Sequence, residues 1–403
     1  EVTRLATLFG CKVESLPFTY LGLPMGTTKP SVQDLIPVIS RIDKRLSGVA
    51  RFMNYSGRLT YINSVVASMP IFAMCSLKVH ITILDHVDKS SRNFLWYGND
   101  INKGGKCLAS WQMICKPKNQ GGLGVLNLRE QNKALLIKHL YKFYNKMDVP
   151  WIKLIWEAHY QNNEVPHFNR NKGSFWWRDC MKMYDYFRDM TTCDIKSGDT
   201  NMLWEDKWNG DIMKLKFPEL HSFTYKENIS IKDAKDMDNL YGLFQLPLSI
   251  QAHQQFHQLS GELNAIRDNQ DHDIWNFNWS NNKNMTKRIY QFLMKREDAD
   301  DTSKWIWKSC CLPKHKFFCW LMLNDRINTC DLLTRKSMHL DSTTCVLCNA
   351  EDMEDRMHLL FTCPFSQGFW WDIGFECNLD LDIHRMIKDA SHRYKIKHFM
   401  EIM

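Results

Sequence analysis

Among the 403 residues of this chain, those best suited to chemistry lie in TTCVLCNAEDMEDRMHLLFTCPF, Thr343 to Phe365. Cys345 and Cys348 form a CxxC pair, His358 follows after nine intervening residues and Cys363 after four more. A CxxC turn delivers two thiolates to one side of a metal, at ~2.3 Å for Zn–S, and a tetrahedral structural site needs two further soft or borderline ligands. The segment AEDMEDRM is rich in helix formers and carries its acids early, which suits a helix dipole and predicts that His358 sits on a helix. Cys363 would then point away from His358. Pro364 disfavours helical backbone at the residue before it, so the helix is predicted to stop there and let Cys363 turn back. The resulting C-x2-C-x9-H-x4-C pattern reads as a zinc knuckle for one Zn2+. Two other readings stay open: buried apolar cysteines with an exposed histidine, and a redox CxxC, although no βαβ pattern surrounds this one. His339 and Cys377 are spare ligands.

Other chemistry is hard to find. The sequence contains no GxSxG, no HExxH and no G-x4-GK[ST] phosphate loop, and GGLGV at Gly121 to Val125 lacks the lysine. Two-metal nucleotidyl transfer needs clustered carboxylates. DADD at Asp298 to Asp301 has an aspartate where an aromatic residue belongs and no flanking strands, so it reads as a solvated loop. No catalytic residue is assigned.

The chain is long enough for two or three domains, and 44% apolar content with 15 Trp and 22 Phe supplies real cores. Lys and Arg number 52 against 45 Asp and Glu, a net +7 that permits a polyanionic partner without demanding one. The longest weakly polar run, Ser64 to Leu77, is interrupted by Pro70 and is too short to cross a bilayer, so no membrane association is expected. The chain opens on Glu1 without signal-peptide features and reads as starting inside a longer protein that is not secreted. Fourteen scattered cysteines suit a reducing compartment, nuclear or cytoplasmic, with HRYKIKH at His392 to His398 as a weak basic localisation cluster.

Periodicity and turn signals divide the chain serially. Residues 1–145 open with a strand over Leu16 to Leu23 that ends at Gly22 and Pro24. Helices follow over Ser31 to Leu46, Ser56 to Ser68 with Asn54 or Ser56 as cap, Ile83 to Tyr97 and Asn127 to Tyr144. A hinge with Gly104-Gly105, Pro117 and Gly121-Gly122 interrupts them. Residues 146–300 read as a mixed α/β middle region containing FWWRDC and SGDTNMLWEDKWNGD. Residues 301–376 return to helix, with Pro313 starting an aromatic one, and 377–403 form a tail. The fold class is mainly α.

These pieces carry a resemblance. KWIWKSCCLPKHKFFCWLMLNDRINTCDLL followed by CVLC, HLLFTC and GFWW resembles the zinc-binding domain found after the polymerase of plant LINE-type, non-LTR retrotransposon reverse transcriptases. LPFTYLGLPMG, GRLTYINSVVASMPIFAM, FLW and the Trp111 to Leu128 segment are similar to what such proteins carry between palm and zinc domain, and WEDKW fits their middle section. The resemblance covers nearly the full chain and implies a C-terminal portion without the catalytic palm, inactive as a polymerase alone. It also implies RNA or DNA as partner and, in a longer polyprotein, an upstream palm. A thumb-like basic face would present Arg41, Lys44, Arg45 and Arg51. Between aromatic positions of the third region, Lys314, Lys316, Arg326, Arg335 and Lys336 suit backbone phosphate contact. The alternative is a retrotransposon-derived plant protein acting as a protein-interaction adaptor.

Overall fold

The computed structural model describes all residues except 50–51, 99–106, 161–163, 267–270, 280–282, 296–299, 349–350, 377 and 395–403. Gly104-Gly105 of the hinge therefore lies outside the described residues. The protein is mainly α, as periodicity predicts, with one two-stranded and one four-stranded sheet among the described residues. Two compact units interleave along the chain: Glu1–Leu35, Ile71–Ile81 and Arg129–Lys295 form one, and Ile36–Pro70, Thr82–Leu128 and Arg296–Met403 the other.

In the first unit the expected strand is half of a hairpin. Phe18–Tyr20 pairs antiparallel with Leu23–Met25 across Leu21 and Gly22, both at positive φ. Two positive-φ residues make the tight turn whose twist matches a hairpin, so Gly22 reverses the chain and Pro24 lies within the returning strand. The Leu128–Tyr144 helix alternates polar with apolar residues, and its apolar positions feed the core: Leu136, Ile137, Leu140, Phe143 and Tyr144 join Trp177, Tyr184, Phe187 and Trp275 in one aromatic cluster. Ile274–Phe277 alternates exposed and buried residues, sending Trp275 and Phe277 into that core while pairing antiparallel with Thr191–Asp194. Lys207–Trp208 adds to the other edge of Thr191–Asp194 in parallel, followed by Asp211–Ile212.

Two buried carboxylates organise the middle region. Asp273 accepts from the backbone N–H groups of Lys196, Gly198 and Thr200 and from the Thr200 hydroxyl, at 2.7 to 3.1 Å, which fixes the SGDT turn. Asp206, within WEDKW, lies 3.0 Å from His167 Nε2 and accepts from Tyr184 Oη at 2.6 Å and from Met202 N–H at 2.7 Å. Burial pushes its carboxyl up, but His167 and these donors outweigh that and hold it below the ordinary carboxylate range.

In the second unit, Ile36–Ser47 buries Val38, Ile42 and Leu46 on one face. Asn54 caps the next helix, accepting from Gly57 N–H at 2.9 Å, but that helix stops at Ser64 and a 3-10 turn carries Val66–Ser68. Ile81–Tyr97 places Leu84, Val87, Phe94 and Leu95 inward as its spacing predicts. Pro313 begins an aromatic helix ending at Leu323, where Phe317 and Trp320 are buried. Phe317 packs on Tyr55 and Trp96 with ring centroids 5.7 and 6.1 Å away, and Trp320 Nε1 donates to Gly121 O at 2.7 Å. The GGLG loop is held close: a Cβ on Gly122 would lie 2.0 Å from Lys116 O. No helix among the described residues is long and apolar enough to cross a membrane.

The Asp273 staple makes a direct stability prediction. Asp273→Ala strands three backbone donors, each costing roughly 1–3 kcal/mol when left unsatisfied. Urea unfolding of this variant should show a loss of about 3 kcal/mol or more; a loss below about 1 kcal/mol would mean the turn holds without its carboxylate.

Candidate metal centre

Thr343 to Cys345 pairs antiparallel with Asp352 to Glu354, so the latter stretch is not helical. Cys345 N–H donates to Asp352 O at 3.0 Å, Glu354 N–H donates to Thr343 O at 2.9 Å, and Thr344 pairs with Met353. The helix expected over AEDMEDRM thus begins only at Arg356, because the acidic stretch returns alongside the CxxC strand. Asp355 ends the paired stretch and starts the turn, its Oδ1 accepting from His358 N–H at 2.6 Å. A side-chain acceptor three residues ahead is the usual device for opening a helix.

His358 to Thr362 then winds as a π-helical turn, closed by Cys363 N–H donating to His358 O at 2.8 Å. In an α-helix, residues five apart would face about 140° away from each other. The wider i to i+5 turn brings them together, which is how an H-x4-C spacing can serve one ion. At Cys363 the backbone turns extended and Pro364 starts the next helix, Pro364–Asp372. The stop before Pro364 is as predicted.

Cys345, Cys348, His358 and Cys363 converge with their ligand atoms all within 4.8 Å of one another. Cys345 Sγ lies 3.9 Å from Cys363 Sγ and Cys348 Sγ 3.3 Å from His358 Nε2. Sulfurs bonded to one tetrahedral zinc at ~2.3 Å would sit about 3.8 Å apart, and a disulfide would need about 2.05 Å. The spacing fits ligands around an ion. The imidazole is oriented for it too: Nε2 faces the thiols while Nδ1 lies 3.4 Å from Thr362 Oγ1 and 3.9 Å from Asp352. Burial pushes the Cys363 thiol up, but the Phe365 and Ser366 N–H groups and the neighbouring cysteines outweigh it and bring the thiol below its ordinary range. Nothing in the sequence flags Thr362, whereas D-x-x-H ahead of an apolar run is the signal for Asp355.

The centre is braced from both sides. Arg356 Nη1 donates to Met322 O and Leu323 O at 2.9 and 3.1 Å, capping the aromatic helix. Trp370 Nε1 donates to Leu360 O at 2.7 Å, and its ring lies between Phe361 and Phe375. His339 is exposed and not part of the cluster, and Cys377 lies outside the described residues.

The basic candidates separate into two kinds. Arg41, Lys44, Arg45 and Lys314 are exposed on their helices, and Arg41 Nε donates to its own helix at Pro37 O. Lys316 instead donates to Ser309 O at 2.6 Å, Arg335 pairs with Asp325 and Asp331 at 2.8 Å each, and Lys336 donates to Asn328. Arg326 is half-buried, and Arg51 lies outside the described residues. Periodicity shows which residues leave the core, not what they meet there.

The acidic segment before the third region is likewise no loop at its end. Asp300 caps the Asp301–Lys308 helix, accepting from Thr302 N–H at 2.9 Å, and binds Lys388 at 2.6 Å. Asp298 lies outside the described residues.

A cysteine-and-histidine metal module on a mainly helical scaffold is the class these features define. Residues 284–370 match the family described as zinc-binding in reverse transcriptase. Across 83% of its length the chain is 24% identical to an Arabidopsis thaliana protein whose name describes a ribonuclease H protein, covering 54% of that relative. It is also 22% identical over 35% of its length to an uncharacterized mitochondrial protein of Arabidopsis thaliana, covering 92% of that one. The chain thus spans about half the length of the longer relative. These matches bear out the resemblance to the C-terminal portion of a plant non-LTR retrotransposon reverse transcriptase, zinc-binding domain included.

Asp300 supplies a pH prediction. Partial burial pushes its carboxyl up, but Lys388 and Thr302 pull it down to about 2. A depressed folded value stabilises above the unfolded value near 4 and is lost as pH falls toward 2. Asp300→Ala should therefore cost about 1 kcal/mol near neutral pH, as cap removal does, with the difference from the parent closing between pH ~4 and ~2. A difference that stays constant over that interval would contradict the assignment.

Proposed function

We propose that this chain is the zinc-binding and nucleic-acid-binding C-terminal part of a LINE-type retrotransposon reverse transcriptase, with RNA or DNA as its partner and an upstream palm as its neighbour in a longer polyprotein. The observation that carries the reading is the Cys345, Cys348, His358 and Cys363 cluster inside the matched residues. Four protein ligands leave no open position, which is the arrangement of a structural rather than a catalytic zinc. When bound, zinc would supply a cross-link between the CxxC strand and the π-turn; the chemistry of polymerisation would come from the palm.

Phosphate contact falls to the exposed candidates with no ion pair among the described residues. Arg41, Lys44, Arg45 and Lys314 have exposed side chains free to meet a backbone, while Lys316 and Arg335 hold the fold of the third region. Binding of this kind is electrostatic and largely independent of sequence.

Fluorescence anisotropy of the zinc-loaded chain with labelled single strands at several salt concentrations tests the proposal. Affinity should fall linearly in log–log terms, with a slope of about 0.7 per contacted phosphate. Replacing Arg41, Lys44, Arg45 and Lys314 together by Ala should reduce that slope by up to about 3 and weaken binding to all sequences alike. No binding at low salt, or a quadruple variant indistinguishable from the parent, would sink the nucleic-acid assignment.

A further inference from the structure

The charge of the third region is divided sharply in two. Between 304 and 336 stand seven Lys and Arg against two Asp, whereas between 341 and 376 stand seven Asp and Glu against one Arg. That one, Arg356, is turned onto the carbonyls of Met322 and Leu323. The metal-bearing half is therefore acidic, and three thiolates on a divalent ion would add to its negative charge.

The same half exposes large apolar side chains around the metal centre. Val346, 86% exposed, and Leu347 lie between the two cysteines of the CxxC. Met353 pairs with Thr344 on the adjoining strand and is also exposed. Phe365, two residues after Cys363, is 65% exposed, and Phe369, one turn further along the same helix, is 59% exposed. The Pro364–Asp372 helix buries none of its residues, although Trp370 packs on Phe361. An isolated exposed apolar residue is ordinary; five set around one centre, with exposed Glu351, Asp352 and Asp372 beside them in the chain, mark an interaction surface.

We propose that this face docks a basic, amphipathic protein segment, one that presents large apolar side chains flanked by Lys or Arg. Charge selects the occupant. A nucleic-acid strand would bring its phosphates against the acids, well within the ~8–10 Å over which charges act at physiological salt. A second copy meeting this face with its own would bring like charge to like, since a two-fold contact repeats one patch on both sides. A cationic segment gains both the apolar burial and the favourable field, and the field steers its approach. The surface goes beyond the nucleic-acid reading, because the residues proposed for phosphate contact lie outside it.

The experiment uses the full zinc-loaded chain and two fluorescein-labelled 18-residue amphipathic peptides, one of Leu and Lys and one with Glu in place of every Lys. The Lys peptide should bind with salt-sensitive affinity and the Glu peptide should not. Phe365→Ala with Phe369→Ala, which touches only exposed side chains, should weaken the Lys peptide by about tenfold or more while zinc content stays at that of the parent. Glu351→Lys with Asp372→Lys should weaken it as well, giving a second variant at exposed positions should the first fail to fold. Three results would overturn the proposal: Lys-peptide binding that neither variant changes, labelled oligo-dT losing affinity in the Phe pair as the peptide does, or a sedimenting dimer that the Phe pair dissolves.

Discussion

Three sulfurs and one imidazole nitrogen crowd within 4.8 Å in the second unit, and the local architecture follows from that constraint. As neutral groups, three thiols and an imidazole would have little reason to converge from two separate segments. Metal coordination would make the convergence favourable, and in small modules it is coupled to folding. The paired stretch returning acidic residues along the CxxC strand, the π-turn that aligns His358 with Cys363, and the extended backbone before Pro364 are the three local devices that deliver the ligands.

The centre does not stand alone. Arg356 fastens it to the end of the aromatic helix, and that helix completes its own packing with residues far away in sequence: Tyr55 and Trp96 against Phe317, and the carbonyl of Gly121 on Trp320. Lys118 lies over the Trp307 ring, 4.7 Å from its centroid. Tyr55, Trp96, Lys118 and Gly121 thus pack against Trp307, Phe317 and Trp320 of the matched stretch, and the boundary of the match is not a packing boundary.

The legible part of this protein was the part set by local spacing. The convergence of Cys345, Cys348, His358 and Cys363 follows from CxxC, H-x4-C and Pro364, and the long helices from three-and-four periodicity that tertiary burial reinforces, as at Leu84, Val87, Phe94 and Leu95. What escaped depends on backbone geometry or distant partners. A tight turn at Leu21-Gly22 turned one strand into two, because Leu at positive φ carries no sequence flag. AEDMEDRM has good helix propensity, yet backbone pairing with the CxxC strand overrode it. Lys316 and Arg335 read like Lys314 in the sequence, and only the fold shows their polar groups engaged. The interleaving of the two units is a matter of long-range contact, which serial changes in composition do not encode.

The most direct test of the central claim is X-ray absorption on the zinc-loaded full chain at the zinc edge. The account predicts a four-coordinate shell of three sulfurs at about 2.3 Å and one nitrogen at about 2.0–2.1 Å. A shell of four sulfurs, or one dominated by oxygen and nitrogen, would contradict it by removing His358 or the cysteines from the centre on which the rest of the module is built.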